Sequence, residues 1–219
     1  MRLVLPRLYV ILDAGMLTEP AGETAQKLMD AGVKLLQYRA KNAATRELWN
    51  ESRVIAETAR RAKCTFIVND RPDVAYLAGA DGVHVGQDDL DVEQARRVIG
   101  ADRWVGVSTH NLEQFEKAAA SSADYIAVGP IFQTSSKANP DPVVGTELLR
   151  RVRTLTEKPI VAIGGITFDR AADVLAAGAD SVAVISDILK AKDPAGMARE
   201  FIRRLDAAKP ARLTEEPNA

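Results

Sequence analysis

The stretch from Ala177 to Ile185 reads Ala-Gly-Ala-Asp-Ser-Val-Ala-Val-Ile, and it places a glycine turn directly before a short apolar run. Related stretches stand at Asp30–Val33, Ala78–Asp81 and Ser122–Asp124, and an apolar run follows each of them. Glycine tolerates the left-handed backbone conformation with which many helices end. The repeat therefore predicts a helix end, a short loop and then a strand, at four places in the chain.

Eight short apolar runs are spread along the chain, and the four repeats precede the even-numbered ones. The runs are rich in Val, Ile and Leu and do not alternate cleanly with polar residues, which is typical of strands covered on both faces. The runs are Leu8–Leu12, Lys34–Tyr38, Phe66–Val68, Gly82–Val85, Trp104–Val107, Tyr125–Val128, Ile160–Ile163 and Ser181–Ile185.

Helical patterns fill the intervals between the runs. Apolar residues with helical spacing follow Thr45, Asp91 and Asn111, and each of these three residues is predicted to begin a helix. Thr18, shortly before a proline, and Thr167 are predicted as further N-terminal caps.

Strands alternating with helices over the whole chain predict one (β/α)8 barrel, the TIM barrel of the α/β class. A length of 219 residues suits a single barrel better than two ordinary domains. A doubly wound open sheet is the alternative. The barrel is predicted over residues 1–208, and residues 209–219, which lack a periodic pattern, are predicted to form a disordered tail.

Composition argues against several classes of function. The net charge of −1 gives no electrostatic basis for binding nucleic acid or an anionic membrane. The single cysteine, Cys64, excludes a disulfide framework and a cysteine zinc site, and two histidines cannot form a three-histidine site. We find neither a signal peptide nor an apolar run of membrane-spanning length, so a reducing cytoplasm is the expected compartment. A homo-oligomer is compatible with the sequence, which does not determine the oligomeric state.

Polar side chains gather where the predicted strands end, which is the side on which TIM barrels carry their chemistry. At the second strand, Gln37, Arg39 and Lys41 alternate and can project to one side. Two cations beside an amide suit a polyphosphate, because arginine grips oxygens through two hydrogen bonds and lysine adds a point charge. In the structural alternative, Arg39 pairs with an acid of the barrel and Lys41 is a solvated loop residue.

Two carboxylates, Asp70 and Asp89, follow the third and fourth strands, which are neighbours in the predicted barrel. Proteins usually bind Mg²⁺ through one or two carboxylates, with phosphate and water as the other ligands. The pair therefore predicts a magnesium site beside the polyphosphate. The alternative is that both residues cap the helices that follow them.

A second anion site is predicted on the other side of the barrel. The turn Gly164–Ile166 and the strand end Ile185–Ser186 fit the phosphate site that many barrels form after strands seven and eight. The loop Thr134–Lys137 offers hydroxyls and one cation, so it is either a lid over an anion or an ordinary surface loop. His84 and His110 also stand near strand ends, as general bases or as structural residues. Two anion sites, one with a divalent cation, favour displacement of diphosphate.

Together these motifs make the chain resemble the thiamine-phosphate synthase family from about Leu8 to Leu205. The resemblance is carried by Gln37–Lys41, Val68–Asp70, Val83–Asp89, Gly106–Ser108, Gly129–Lys137 and Ile163–Ile166. It implies a transferase that joins 4-amino-2-methyl-5-hydroxymethylpyrimidine diphosphate to a thiazole phosphate, plain or carboxylated, and releases diphosphate. The implied mechanism is dissociative: diphosphate leaves, and the thiazole nitrogen captures the pyrimidine carbocation.

The resemblance also implies a role for each matching residue. Mg²⁺ would be held by Asp70 and Asp89. The catalytic residues would be Arg39, Lys41, Ser108 and Lys137. The pyrimidine diphosphate would be bound by Gln37, Arg39, Lys41, Asn69, Ser108 and Lys137. The thiazole phosphate would be bound by Thr134, Ser136, Gly165, Ile185 and Ser186.

The chain departs from the family pattern at three positions, where Ala40 replaces an acid, Gln133 a proline and Ser136 a threonine. None of these changes removes a charge assigned to the diphosphate. Three alternatives stay open. A thiazole tautomerase of the same fold would tend to lack the cations, and another phosphate-binding barrel enzyme would need an acid–base pair or a catalytic lysine within a strand. A ligand-sensing module would have no need of intact cation and carboxylate positions.

Overall fold

The computed structural model describes residues 3–134 and 141–208, and within them eight parallel strands close into a barrel in chain order. The strands are β1 Leu8–Asp13, β2 Leu35–Arg39, β3 Thr65–Asn69, β4 Gly82–Val85, β5 Trp104–Thr109, β6 Tyr125–Val128, β7 Ile160–Ile163 and β8 Ser181–Val184. β8 pairs with β1, with Val182 opposite Leu8, and this pairing closes the sheet. The predicted TIM barrel is confirmed, and the open sheet is wrong.

Helices alternate with the strands. They are α1 Ala21–Asp30, α2 Thr45–Ala62, α3 Pro72–Ala78, α4 Val92–Ile99, α5 Leu112–Ala120, α6 Gly145–Arg153, α7 Phe168–Ala176, α8 Ser186–Leu189 and α9 Pro194–Ala207. None of the helices in the described ranges combines the length and apolarity that crossing a membrane requires. The predicted tail, residues 209–219, lies outside the described residues.

The predicted helix starts are confirmed in part. The side chains of Asp91 and Asn111 cap α4 and α5 by accepting backbone N–H groups three residues ahead, and Thr45 is the first residue of α2. Thr18 is wrong as a cap, because Pro20 takes the N-cap position of α1 and its fixed φ suits the start of a helix. Thr167 stands at the N-cap of α7, but its side chain makes no capping hydrogen bond.

The glycine-and-aspartate repeat fastens the amino-terminal end of the barrel. The aspartate that closes three of its copies accepts a hydrogen bond from a backbone N–H near the start of the neighbouring strand. The pairs are Asp81 with Phe66, Asp124 with Val105 and Asp180 with Ile160, at 2.7–2.8 Å. These carboxylates satisfy backbone donors that the parallel ladder leaves over, at the end of the barrel opposite to the candidate site.

Two apolar cores support the barrel. The larger one packs the helices on the outside of the strands. The smaller one fills the inside of the barrel, and its buried members are Leu5, Tyr9, Ile11, Leu35, Ile67, Tyr125, Ala127, Val161 and Ala183. The interior is therefore a packed core rather than a pore, and ligands have access only at its ends.

Candidate active site

Arg39 meets a buried acid at the carboxyl end of β1. The register of β1 and β2 sets Asp13 opposite Arg39, and the guanidinium donates to the Asp13 carboxylate. Asp13 is only 7% exposed, and it also accepts from the backbone N–H of Gly15 at 3.0 Å. The pairing suggested as an alternative for Arg39 is therefore present. A guanidinium carries five N–H donors, so this pair holds Arg39 in place without using its full capacity for an anion.

Lys41 and two carboxylates form a second charged group beside this pair. The Lys41 ammonium lies 2.5 Å from Asp70, and Asp70 is in turn within hydrogen-bond reach of Asp89. Partial burial, and then the neighbouring Asp89, raise the pKa of Asp70 above its usual value, while Lys41 opposes the rise. A cation placed between the two carboxylates would relieve this repulsion.

Neither carboxylate caps a helix, so the alternative stated for them is wrong. α3 begins after Arg71 without a side-chain capping bond, and Asp91 is the residue that caps α4. Asp89 instead accepts from the backbone N–H of Gly86 at 2.7 Å, within its own turn. Asp70 has a φ of +65°, which residues other than glycine rarely adopt.

The two carboxylates fit the donor set of a magnesium ion. Mg²⁺ needs only one or two protein carboxylates when phosphate oxygens and water complete its shell. Within residues 3–134 and 141–208, no group of three or more acidic, histidine or cysteine side chains could hold a metal on its own. A metal held by Asp70 and Asp89 would therefore share its coordination with the substrate.

A pocket lies at the carboxyl ends of β5 to β8, and it brings five of the predicted residues together. The five are Ser108, Thr134, Gly165, Ile185 and Ser186. The backbone at Gly165 has a φ of +62°, and a β-carbon there would lie 2.4 Å from the Gln133 carbonyl oxygen. Only glycine lets the loop after β7 pack this closely on the loop after β6.

The remaining predicted residues differ in how far the structure places them. Asn69 ends β3, and its backbone carbonyl accepts from the N–H of Arg71 at 2.8 Å. Gln37 lies one level deeper in the barrel than Arg39 and is 2% exposed. Ser136 and Lys137 lie outside the described residues.

A family model described as thiamine monophosphate synthase matches residues 8–188, which is most of the chain. The chain belongs to the thiamine monophosphate synthase family. Among similar proteins, the thiamine-phosphate synthase of Koribacter versatilis is 51% identical over 93% of this chain and 97% of its own length. That of Chloroflexus aurantiacus is 45% identical over 89% of this chain and 90% of its own length.

A solved structure agrees with this family membership. The thiamine phosphate pyrophosphorylase from Pyrococcus furiosus superimposes with a TM-score of 0.84 at 33% sequence identity. The alignment covers 93% of this chain and 96% of that one. The likeness therefore extends over the whole barrel and includes both charged regions of the site.

Several residues of this family member's site were missed by sequence reasoning. Asp13 ends an apolar run with a charge, which is a signal that could have marked it as a barrel-mouth acid. Tyr9 and Tyr125 gave no such signal, because tyrosine is common in buried strands. His110 and Asp141 line the pocket too, and the His110 Nδ1 donates to the Gly129 carbonyl at 2.6 Å.

Proposed function

We propose that the chain condenses 4-amino-2-methyl-5-hydroxymethylpyrimidine diphosphate with thiazole phosphate, plain or carboxylated, to give thiamine phosphate and diphosphate. The carrying observation is that cations with paired carboxylates (Arg39, Lys41, Asp70 and Asp89) share one barrel end with the glycine-walled pocket. Family membership and relatives named thiamine-phosphate synthase support the same reaction. No observation favours the tautomerase alternative.

The cationic side of the site binds and stabilises the diphosphate. Arg39 and Lys41 face the charge that grows on the leaving oxygens as the carbon–oxygen bond breaks, and preorganised donors of this kind lower the barrier most. Lys137 is proposed to add a third cation, on the strength of the sequence motif alone. Asp70 and Asp89 would hold Mg²⁺, which when bound supplies positive charge to the departing diphosphate.

The pyrimidine ring is held between Gln37, Asn69 and Ser108, so that its methylene carbon faces the second pocket. The bond-breaking electron pair leaves with diphosphate, and the lone pair of the thiazole nitrogen forms the new carbon–nitrogen bond. Holding the two reactants in this order replaces acid–base chemistry by positioning. The thiazole phosphate is bound by Thr134, Ser136, Gly165, Ile185 and Ser186.

The partners in this proposal are two small phosphorylated substrates, with no nucleic acid and no membrane. The described site residues come from a single chain, so the proposal does not depend on a homo-oligomer. The cytoplasm remains the proposed compartment, and the single cysteine, Cys64, which is a buried free thiol, is compatible with reducing conditions.

A coupling assay tests the function directly. The purified chain is incubated with both substrates, with Mg²⁺ or with an excess of chelator, and thiamine phosphate is measured. Product that forms only with metal is the expected result. Faster isomerisation of the carboxylated thiazole phosphate without coupling would move the chain to the tautomerase class, and ligand binding without turnover would indicate a sensing module.

Replacing Asp70 by asparagine is expected to raise the Mg²⁺ concentration for half-maximal activity at least about tenfold, because one of two carboxylate ligands is lost. Asp73→Asn is the matched control, since Asp73 is an exposed acid three residues away that pairs with Arg71. The measurement is a Mg²⁺ titration of the coupling rate for both variants. Identical titrations for Asp70→Asn and the unsubstituted chain would remove Asp70 from the metal site.

A further inference from the structure

A chain of hydrogen bonds crosses the interior of the barrel from β2 to β5. Its links are Gln37 Nε2 to Tyr9 Oη at 2.8 Å, Tyr9 Oη to Tyr125 Oη at 3.0 Å, Tyr125 Oη to His84 Nδ1 at 3.1 Å, and His84 Nε2 to Ser108 Oγ at 2.9 Å. Both ends of the chain are residues that the proposed function assigns to the pyrimidine, whereas the three middle residues have no role so far.

The middle of the chain is tightly built. Tyr9 and Tyr125 are at most 1% exposed, and the His84 ring stacks on Tyr125 with centroids 5.5 Å apart. Burial raises the pKa of both tyrosines well above the usual value, so both phenols keep their protons near neutral pH. Gly106 makes room for this arrangement, because a β-carbon there would lie 2.0 Å from the Tyr125 ring.

The direction of the chain follows from its first link. The amide nitrogen of Gln37 donates to Tyr9, so the single Tyr9 proton is donated onward to Tyr125. The Tyr125 proton is then donated to Nδ1 of His84. Because each phenol has one proton, the direction cannot reverse at one link without breaking another.

The same logic fixes the two ends of the chain. With Nδ1 of His84 accepting, a neutral imidazole carries its proton on Nε2 and donates it to the Ser108 hydroxyl. The hydroxyl proton of Ser108 is then available to a ligand in the pocket that Ser108 lines. At the other end, the Gln37 amide keeps its carbonyl oxygen as an acceptor.

We propose that Tyr9, Tyr125 and His84 are positioning residues that hold Gln37 as an acceptor and Ser108 as a donor, and so select a 4-aminopyrimidine over a 4-oxopyrimidine. The inference rests on the proposed function in placing the pyrimidine against Gln37 and Ser108. A 4-amino group donates to the Gln37 oxygen, and an unprotonated ring nitrogen accepts from Ser108. A 4-oxo group would set two acceptors against each other at Gln37, an unpaired arrangement that binding sites reject strongly.

The tautomer of His84 tests the direction of the chain without any substrate. The chain has only two histidines, and they are expected to be opposite tautomers: His84 with a bare Nδ1, and His110 with a protonated Nδ1 that donates to the Gly129 carbonyl. Imidazole ¹⁵N spectra near neutral pH distinguish the two forms, and His110→Gln assigns the signals. A protonated Nδ1 on His84 would mean that the chain runs the other way, and it would overturn the proposal whatever the enzyme's activity.

The selectivity is tested by comparing kcat/KM for the 4-amino and 4-oxo pyrimidine diphosphates. In Tyr125→Phe, Tyr9 loses its acceptor and can donate to Gln37, so the amide is free to turn over. We expect the preference for the 4-amino substrate to fall about 10- to 100-fold. A ratio of two substrates on the same protein does not depend on the fraction of folded enzyme.

The matched control is Tyr38→Phe, since Tyr38 is a buried tyrosine of β2 that packs in the outer core rather than inside the barrel. Its preference is expected to stay unchanged. Equal preferences in Tyr125→Phe and the unsubstituted chain would overturn the proposal even if thiamine phosphate is formed. A chain that forms no thiamine phosphate at all would instead disprove the proposed function, and the selectivity would fall with it while the histidine tautomers stayed as measured.

Discussion

Arg39→Gln is expected to lower kcat/KM for thiamine phosphate formation by about 10³-fold. Arg39 is held by the buried Asp13 at the end of β1, so its charge is already oriented when diphosphate begins to leave. A preorganised donor aimed at developing negative charge contributes about 10²–10³ in rate, and a guanidinium adds charge as well as geometry. Steady-state kinetics with both substrates give the ratio.

The same substitution also strands a buried carboxylate, and its structural effect must be separated from its catalytic effect. Losing one partner of a buried ion pair costs about 3–5 kcal/mol of folding free energy. The double variant Arg39→Gln with Asp13→Asn removes both charges, so its stability in urea should recover while its turnover stays low. Arg53→Gln, on the exposed face of α2, is the control for charge loss alone and should match the unsubstituted chain in both measurements. Recovery of turnover in the double variant would make Arg39 a structural residue only.

The fold was predictable because its signals are local. A helix that ends in glycine and turns directly into an apolar strand can be recognised within nine residues. The structure shows why the pattern holds: Gly32, Gly79 and Gly178 have φ values of +104°, +73° and +118°, which side chains oppose. Repetition of this unit leaves the barrel as the natural way to cover both faces of every strand.

The pocket residues were predictable for a different reason. A barrel brings the carboxyl ends of all strands to one face, so residues far apart in the sequence can be assigned to one site from the positions of the strand ends alone. Ser108, Thr134 and Ser186 follow three different strands and line the same pocket. The rule gives the side of the barrel but not the depth, which is why Gln37 was not expected to be almost completely buried.

The hydrogen-bond chain inside the barrel could not be predicted in this way. Its members come from β1, β2, β4, β5 and β6, so their contacts depend on the stagger of the strands around the closed sheet. The Tyr9–Tyr125 contact joins residues 116 positions apart, on strands that are not neighbours. Strand periodicity indicates that each side chain is buried, and it contains no information about the side chain that it meets.

Gly106→Ala is expected to destabilise the fold by about 3 kcal/mol or more, because the inner core has no space for one further methyl group. A β-carbon at this position would lie 2.0 Å from Cζ and 2.4 Å from the hydroxyl oxygen of Tyr125. Neither side can yield easily, since Tyr125 is fully buried and is held by hydrogen bonds to Tyr9 and His84. Overpacking of this kind typically costs about 1–3 kcal/mol and more where the neighbours are fixed.

A double-mutant cycle with Tyr125→Leu shows whether this collision is the cause. Leucine lacks the distal ring atoms that the new methyl group would strike, so the cost of Gly106→Ala should fall below about 1 kcal/mol in that background. Urea unfolding of the four proteins gives the coupling free energy between the two positions. An equal cost of Gly106→Ala in both backgrounds would place the strain in the β5 backbone instead. A large coupling would show that Gly106 is selected by the tyrosine that it faces, and hence by the hydrogen-bond chain of which that tyrosine is the centre.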